Sequence, residues 1–211
     1  KMIKVGITGQ EGFLGKHLFN YLGLMEDVEL IQFKKNYFKH PANLEEFVKT
    51  CDVIVHLSAM NRHKNPQIIY DNNIKLVNQL INACETTNST PHIIFSSTSQ
   101  EKSDNLYGKS KYIGEVNNNS NTVTLRTSII GHELSSNHSL IDWFLSQTSS
   151  IKGYDNFIFS GLPTVELASI ISNYILPNDN LFGLYHVSSD PISKYDLLVL
   201  VAEIYGKNIE I

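Results

Sequence analysis

The chain has 211 residues, of which 42% are hydrophobic and 18% charged, so it can bury one substantial core and a small lobe beside it. Its net charge is -4, and its lysines and arginines cluster only in pairs, so we expect no nucleic-acid partner. We also expect no membrane partner, because no apolar run approaches the roughly 20 residues of a span and no secretory signal is evident. Cys51 and Cys84 lack metal or disulfide spacing, which predicts reduced thiols in a cytoplasmic protein without a metal site.

Apolar runs alternate with segments of helical periodicity over the first part of the chain. The sequence predicts strands at 3–8, 28–33, 52–59, 92–97 and 122–130, with helices at 12–22, 43–49, 66–86 and 107–115 between them. Near-continuous apolar strands separated by helices are typical of a parallel sheet that helices cover on both faces. Residues 2–131 are therefore predicted to form an α/β domain, a Rossmann-like doubly wound parallel sheet.

The pattern is less regular after Gly131. It predicts helices near 140–146, 163–175 and 193–205, extended segments at 156–161 and 184–189, and an apparent strand at 208–211. Open α/β sheets bind ligands at the carboxyl ends of their strands. We therefore expect residues 132–211 to form mainly a small C-terminal substrate-binding lobe there, with some segments returning to the core.

A glycine-rich turn follows the first predicted strand, in the sequence "GITGQEGFLG". Glycines at this place let the backbone approach a pyrophosphate, whose charge meets the free N–H groups of the following helix. The spacing departs from G-x-G-x-x-G, and a tight turn that only packs the helix on the strand is the alternative. The predicted dinucleotide-binding residues here are Gly9, Gly12, Phe13, Leu14 and Gly15.

The end of the second predicted strand indicates which dinucleotide binds. An acidic residue there would hydrogen-bond the ribose of NAD and repel a 2′-phosphate, but the chain has Lys34 and Lys35 instead. This lysine pair favours NADP(H) over NAD(H), unless both lysines are simply solvated.

Tyr107 and Lys111 are four residues apart and fall on one face of the fourth predicted helix. With "GITGQEGFLG", "HLSA", "FSSTS" and "LRTSIIG", the stretch "YGKSK" resembles the extended short-chain dehydrogenase/reductase family. The resemblance implies that Tyr107 is the acid/base and that Lys111 holds the nicotinamide ribose. A cation within ~4–6 Å is also expected to lower the tyrosine pKa by ~1–3 units from its ordinary ~10.

The same resemblance implies further site residues. Thr98, with Ser97 as its neighbour, would hydrogen-bond the substrate oxygen, and Asn73 would brace the site unless it is a helix-surface residue. Residues that match the strand end packed on the cofactor are Leu57, Ser58 and Ala59. Arg126 matches a position that is usually structural, and we interpret His56 as a core histidine.

Three reactions of the family compete: reduction of a sugar ketone, 4-epimerisation and 4,6-dehydration. Dehydratases follow the catalytic threonine with Asp and Glu, whereas this chain has Ser99 and Gln100, which are not an acid/base pair. Epimerases recycle bound NAD, and their second strand normally ends in an acidic residue. The resemblance therefore predicts NADPH-dependent reduction of the C4 ketone of a dTDP- or UDP-linked 6-deoxy-hexulose for surface polysaccharide biosynthesis. A 4-epimerase and a non-catalytic NADP-binding regulator are the alternatives.

On the substrate side, the second half is similar to nucleotide-sugar 4-keto-reductases. His132 follows the strand where the family turns into the sugar pocket, and Lys152 is a candidate for contacting a nucleotide diphosphate. Trp143 is a further candidate on the lobe, although it also fits an apolar helix face. The expected partner is a small nucleotide sugar, and a homodimer is the candidate assembly.

Overall fold

The computed structural model describes residues 2–99, 104–115, 121–134 and 138–211. Its strands are β1 (Ile3–Thr8), β2 (Val28–Ile31), β3 (Val53–His56), β4 (His92–Ser96), β5 (Thr122–Arg126), β6 (Ile129–Ile130), β7 (Ile158–Phe159), β8 (Leu162–Pro163), β9 (Gly183–His186) and β10 (Ile192–Ser193). Its α-helices are α1 (Phe13–Leu22), α2 (Pro41–Thr50), α3 (Pro66–Thr87), α4 (Leu106–Ile113), α5 (Leu140–Ser146), α6 (Thr164–Ile170) and α7 (Lys194–Tyr205).

Six strands form one parallel sheet in the order β2-β1-β3-β4-β5-β9. On one face α1 and α6 pack together over a core that includes Leu18 and Leu167. On the other face α2 and α3 contribute Phe47 and Leu80 to a second core. The strands are apolar because helices cover both faces, and the prediction of a doubly wound parallel α/β sheet is confirmed.

The chain after residue 131 contributes both to this sheet and to a separate lobe. Strand β9 pairs with β5, and α6 continues into a π-helical turn at Ile171–Ile175 that lies on the core. Helices α5 and α7 form the lobe around buried Phe144 and Leu198. The ammonium of Lys207 donates to two carbonyls at the end of α5, at 2.8 and 2.7 Å. These contacts fix the two lobe helices to each other.

Several predicted elements differ in extent. Strand β2 ends at Ile31, since the N–H of Phe33 donates to the side chain of Gln10 instead of to β1. The predicted strand at 122–130 divides into β5 and β6, and β6 leaves the main sheet to pair with β8. The strand predicted at 208–211 is wrong, because this segment makes a single backbone bond to Ile151 and packs Ile209 on the lobe core.

Both cysteines are buried and free. None of the helices in the described part of the chain is both long enough and apolar enough to cross a membrane.

Candidate active site

The candidate site lies where the carboxyl ends of β1, β3, β4 and β5 meet. Beyond the strands, the N–H of Leu57 donates to the carbonyl of Thr8 at 3.1 Å, and that of Ser58 donates to the Thr8 hydroxyl at 3.3 Å. The N–H of Ser97 likewise donates to the carbonyl of Leu125 at 2.8 Å. The predicted loops therefore leave the sheet side by side, which brings the cofactor and catalytic segments to one edge.

The glycine turn is shaped so that side chains would not fit. Gly9 has φ +76°, and a Cβ on it would lie 2.9 Å from the Ser58 nitrogen. A Cβ on Gly15 would lie 2.0 Å from the Gly9 carbonyl oxygen. Gly12 is the N-cap of helix α1 and, as a glycine, provides no side-chain cap for the first N–H groups of the helix. The close backbone contacts at Gly9 and Gly15 require glycine at both positions, and the pyrophosphate site stays a prediction.

The two apolar residues of the turn take different places. Leu14 is buried in the core, so its side chain serves packing and only its backbone faces the turn. Phe13 is half-buried and meets the His17 ring edge-to-face, with 5.7 Å between centroids.

Gln10 joins the glycine turn to the end of β2. It is buried, and its Oε1 accepts the Phe33 N–H at 3.1 Å. Lys34 and Lys35 follow directly and are exposed, and neither forms an ion pair with any residue that the structure describes. Sequence reasoning passed over Gln10, although a long polar side chain inside a glycine turn is a usable signal for such a link.

Asn73 on α3 is buried, so the helix-surface alternative is wrong. Its Oδ1 accepts the N–H of Met60 at 2.6 Å, and its Nδ2 donates to the Met60 carbonyl at 3.0 Å and to the Ser110 hydroxyl at 3.1 Å. Ser110 lies on α4, whereas Met60 lies in the loop that begins with Leu57, Ser58 and Ala59. Asn73 therefore braces this loop against the helix that carries Tyr107 and Lys111.

Helix α4 presents Tyr107 and Lys111 one turn apart. Asn105 caps the helix by accepting the N–H of Gly108 at 2.7 Å. Burial raises the pKa of the half-buried Tyr107 phenol. Lys111 was expected to lower this pKa, but burial is the effect that acts on it, and the Lys111 ammonium lies over the ring of Phe95, 4.7 Å from its centroid.

Lys111 itself is in an unusual environment for a cation. It is only 4% exposed, and it makes no hydrogen bond or ion pair with the residues that the structure describes. Burial lowers its pKa to about 8, and the Glu115 carboxylate opposes this change. A buried ammonium without an acceptor fits a site that receives the hydroxyl groups of a bound ribose.

Thr98 is buried beside this helix, directly after β4. The neighbouring Ser97 donates its hydroxyl proton to Glu115 Oε1 at 2.6 Å. This proton is therefore engaged within the protein, whereas Ser97 was expected to contact substrate. The Ser99 hydroxyl lies 2.5 Å from that of Ser128. Gln100, the other residue at the dehydratase positions, lies outside the described residues.

Glu115 and Arg126 form a buried ion pair that sequence reasoning did not identify. The Glu115 side chain is 0% exposed, and Arg126 donates to both of its carboxylate oxygens at 2.8 Å. The pair connects the end of α4 to the end of β5.

His56 is a core histidine, as predicted. Its Nδ1 lies 2.8 Å from the Thr8 hydroxyl, and its ring stacks on Phe95 with 5.7 Å between centroids. Burial, with a smaller contribution from the charge of Lys111, lowers the His56 pKa to about 3, so the ring is neutral.

His132 is the first of the three residues predicted on the lobe for the substrate side. His132 has Nδ1 2.6 Å from Asp142 and Nε2 2.6 Å from the Tyr205 hydroxyl. Both ring nitrogens are thus engaged within the protein, and the role of His132 on the substrate side stays a prediction. Burial raises the pKa of Asp142, but hydrogen bonds from His132, the Glu133 N–H and Ser139 outweigh it and hold this pKa below its usual value.

Trp143 and Lys152 remain candidates on the lobe surface. Trp143 is 37% exposed, and the ammonium of Lys194 lies 5.6 Å from its ring centroid. Lys152 is exposed and makes no hydrogen bond or ion pair within the described part of the chain.

Comparison with known proteins gives one family match and one curated relative. The model of the NAD dependent epimerase/dehydratase family matches residues 5–127. The UDP-2-acetamido-2,6-beta-L-arabino-hexul-4-ose reductase of Pseudomonas aeruginosa is 30% identical over 113 residues, which is 54% of this chain and 30% of that protein. The match therefore spans less than a third of the relative's length.

Solved structures share the fold over nearly the whole chain. The dTDP-4-dehydrorhamnose reductase of Bacillus anthracis in complex with NADP is 19% identical, with a TM-score of 0.80, over 100% of this chain and 84% of that one. The RMD protein of Pseudomonas aeruginosa complexed with NADPH is 18% identical, with a TM-score of 0.81, over 98% of this chain and 86% of that one. At these identities the likeness concerns the fold.

Proposed function

The chain belongs to the NAD dependent epimerase/dehydratase family, and from this premise we propose that it is an NADPH-dependent nucleotide-sugar 4-keto-reductase. The observation that carries the proposal is the placement of Thr98, Tyr107 and Lys111 at one edge of the sheet, beside a glycine turn that fits a dinucleotide. The substrate is a dTDP- or UDP-linked 6-deoxy-4-hexulose of surface polysaccharide biosynthesis. The curated relative supports this class, since its name denotes a reductase of a UDP-linked hexul-4-ose.

The residues present fit NADP(H). The glycine turn and the uncapped start of α1 would hold the pyrophosphate, and the exposed Lys34 and Lys35 would bind the 2′-phosphate. Leu57, Ser58 and Ala59 would contact the rings, and the Lys111 ammonium would bind the ribose hydroxyls. Two structural neighbours that contain NADP or NADPH support this choice of cofactor.

The chemistry needs one proton donor and a fixed ketone. When bound, the cofactor supplies a hydride to C4 of the sugar. Thr98 and Tyr107 hydrogen-bond the ketone oxygen, and Tyr107 donates its proton to the alkoxide that forms there. Because burial raises the pKa of Tyr107, the phenol stays protonated near neutral pH, which suits the reducing direction. Solvent then returns a proton to the Tyr107 tyrosinate.

The neighbouring side chains argue against dehydration. Removal of a C5 proton needs a carboxylate near Thr98, whereas the next residue is Ser99, whose hydroxyl pairs with Ser128. A regulator that only binds NADP has no use for Tyr107 and Lys111 in this arrangement.

The test is to incubate the protein with NADPH and a panel of dTDP- and UDP-linked 4-keto-6-deoxyhexoses, following NADPH absorbance. Tyr107→Phe should lower turnover by ~10²–10⁴-fold, the usual value of positioned acid/base catalysis, with NADPH affinity nearly unchanged. Tyr112→Phe is the matched control, because Tyr112 lies on the same helix but is exposed. If Tyr107→Phe stays within ~10-fold of the unmodified protein, Tyr107 is not the general acid.

A further inference from the structure

Glu115 is hydrogen-bonded to residues on two neighbouring strand ends. Its Oε1 accepts the Ser97 hydroxyl at 2.6 Å and Arg126 Nε at 2.8 Å, while Oε2 accepts Arg126 Nη2 at 2.8 Å. Ser97 directly precedes Thr98, and Arg126 ends β5. Glu115 itself follows α4, the helix that carries Tyr107 and Lys111. One buried carboxylate therefore joins the helix of the acid/base pair to the strand of the third catalytic residue.

Glu115 also faces the buried Lys111 electrostatically. Glu115 directly follows the C-cap of α4, where its N–H donates to the Tyr112 carbonyl at 3.2 Å, and its charge acts on the Lys111 ammonium in the sense that keeps it protonated. Among the residues that the structure describes, the other groups that act on or contact Lys111 carry no negative charge. From β3 the neutral imidazole of His56 acts on it, and from β4 the Phe95 ring lies under it.

We propose, on the basis of the function above, that Glu115 is a positioning residue that locks α4 to the Thr98 strand and supplies the negative charge facing Lys111. Hydrogen bonds to an ionised carboxylate are roughly twice as strong as neutral ones, so the three bonds hold the helix in a fixed position. The Arg126 guanidinium pairs with the carboxylate in its buried place, at 2.8 Å. Both effects act on α4, so Glu115 sets the position of Tyr107 and the charge of Lys111.

Glu115→Gln separates the charge from the shape, because Gln has nearly the same size and still accepts the Ser97 hydroxyl. The first measurement is the titration of Lys111, followed by NMR of lysine-labelled protein. The Lys111 signal is identified as the one that disappears in Lys111→Met. Removing the carboxylate should lower the Lys111 midpoint by about one pH unit, as expected when a nearby opposite charge is lost. The fall of turnover at high pH should then begin at lower pH.

Two control variants separate the two effects. Glu46→Gln removes an exposed carboxylate that pairs only with Lys49 at 3.3 Å, and it should move neither the midpoint nor turnover. Ser97→Ala keeps every charge but breaks the link to the Thr98 strand. It should lower kcat by about tenfold, as for loss of a hydrogen bond of ~1.5 kcal/mol to a charged group, with the Lys111 midpoint unmoved.

A Lys111 midpoint that does not move in folded Glu115→Gln overturns the charge role, and an unchanged kcat in Ser97→Ala overturns the locking role. If Glu115→Gln does not fold, the double variant with Arg126→Met replaces it, since it leaves no unpaired buried charge. Its midpoint should also fall, because Glu115 rather than Arg126 acts on Lys111. The NMR titration needs no substrate. Failure of the 4-keto-reductase proposal would appear separately, as an unmodified protein that reduces no sugar in the panel.

Discussion

Gly15→Ala tests whether the glycine turn is built for a pyrophosphate. The new Cβ would lie 2.0 Å from the Gly9 carbonyl oxygen and 2.8 Å from the Gln10 Cα, both of them backbone atoms. Ordinary contact begins at 3.4 Å, so the turn has to open by about 1.4 Å. No rotation of a flexible side chain can relieve this contact, and the backbone N–H groups of the turn must move apart.

The size of the effect follows from this displacement. An opening of about 1.4 Å takes a hydrogen bond of normal length, ~2.9 Å, beyond the range in which it contributes. One lost bond to a charged phosphate corresponds to ~1.5–3 kcal/mol, so we expect NADPH to bind about tenfold to a hundredfold more weakly. Overpacking itself should lower the free energy of unfolding by ~1–3 kcal/mol. Affinity is measured from NADPH fluorescence, and stability from urea denaturation without cofactor.

Gly23→Ala is the matched control at the other end of α1. Gly23 has φ -65°, and its Cβ would approach the Phe19 carbonyl oxygen only to 3.2 Å. We expect its NADPH affinity to stay within about threefold, since a change under ~0.7 kcal/mol is typical of such surface sites. If folded Gly15→Ala binds NADPH as tightly as Gly23→Ala does, the turn does not hold the pyrophosphate.

Two further predictions concern charge. The protein should prefer NADPH to NADH, and Lys34→Ala with Lys35→Ala should reduce the preference by about tenfold or more, from loss of a charge-assisted phosphate contact; equal Kd values for both cofactors in the unmodified protein would contradict this. The free energy of unfolding should fall by about 2 kcal/mol as the pH is lowered from 7 to 5, through His56 alone. The pKa of His56 is about 3 in the folded protein and about 6.5 in the unfolded chain, so over this range only the unfolded chain binds the proton. His92, whose pKa burial also lowers, adds in the same direction. Urea denaturation at both pH values measures this loss, and His56→Gln should remove the His56 part; an unchanged pH dependence in that variant would refute the assignment.

The features that sequence predicted well are local along the chain. The strands of the sheet are short apolar runs, and Gly9, Gly12 and Gly15 follow β1 within a few residues. Tyr107 and Lys111 are one helical turn apart. Such patterns depend only on backbone geometry and burial, so they appear directly in the residue order.

The features that sequence missed depend on contacts between distant segments. Ser97 was expected to face substrate, but the register of β4 and β5 brings it to Glu115, together with Arg126. His132 was predicted near the sugar pocket, and the sequence did not indicate that Tyr205, far along the chain, contacts its ring. The Tyr107 pKa depends on burial, which no pattern of neighbouring residues reveals.

The central claim is a direct hydride transfer to a sugar C4 ketone, and turnover in D₂O with unlabelled NADPH tests it most directly. The product is analysed by NMR and mass spectrometry, with deuterium exchange in enzyme-free controls subtracted. The account predicts stoichiometric loss of NADPH and no deuterium bound to carbon, because Tyr107 delivers its proton to oxygen alone. Enzyme-dependent deuterium at C5 or C6 would contradict it.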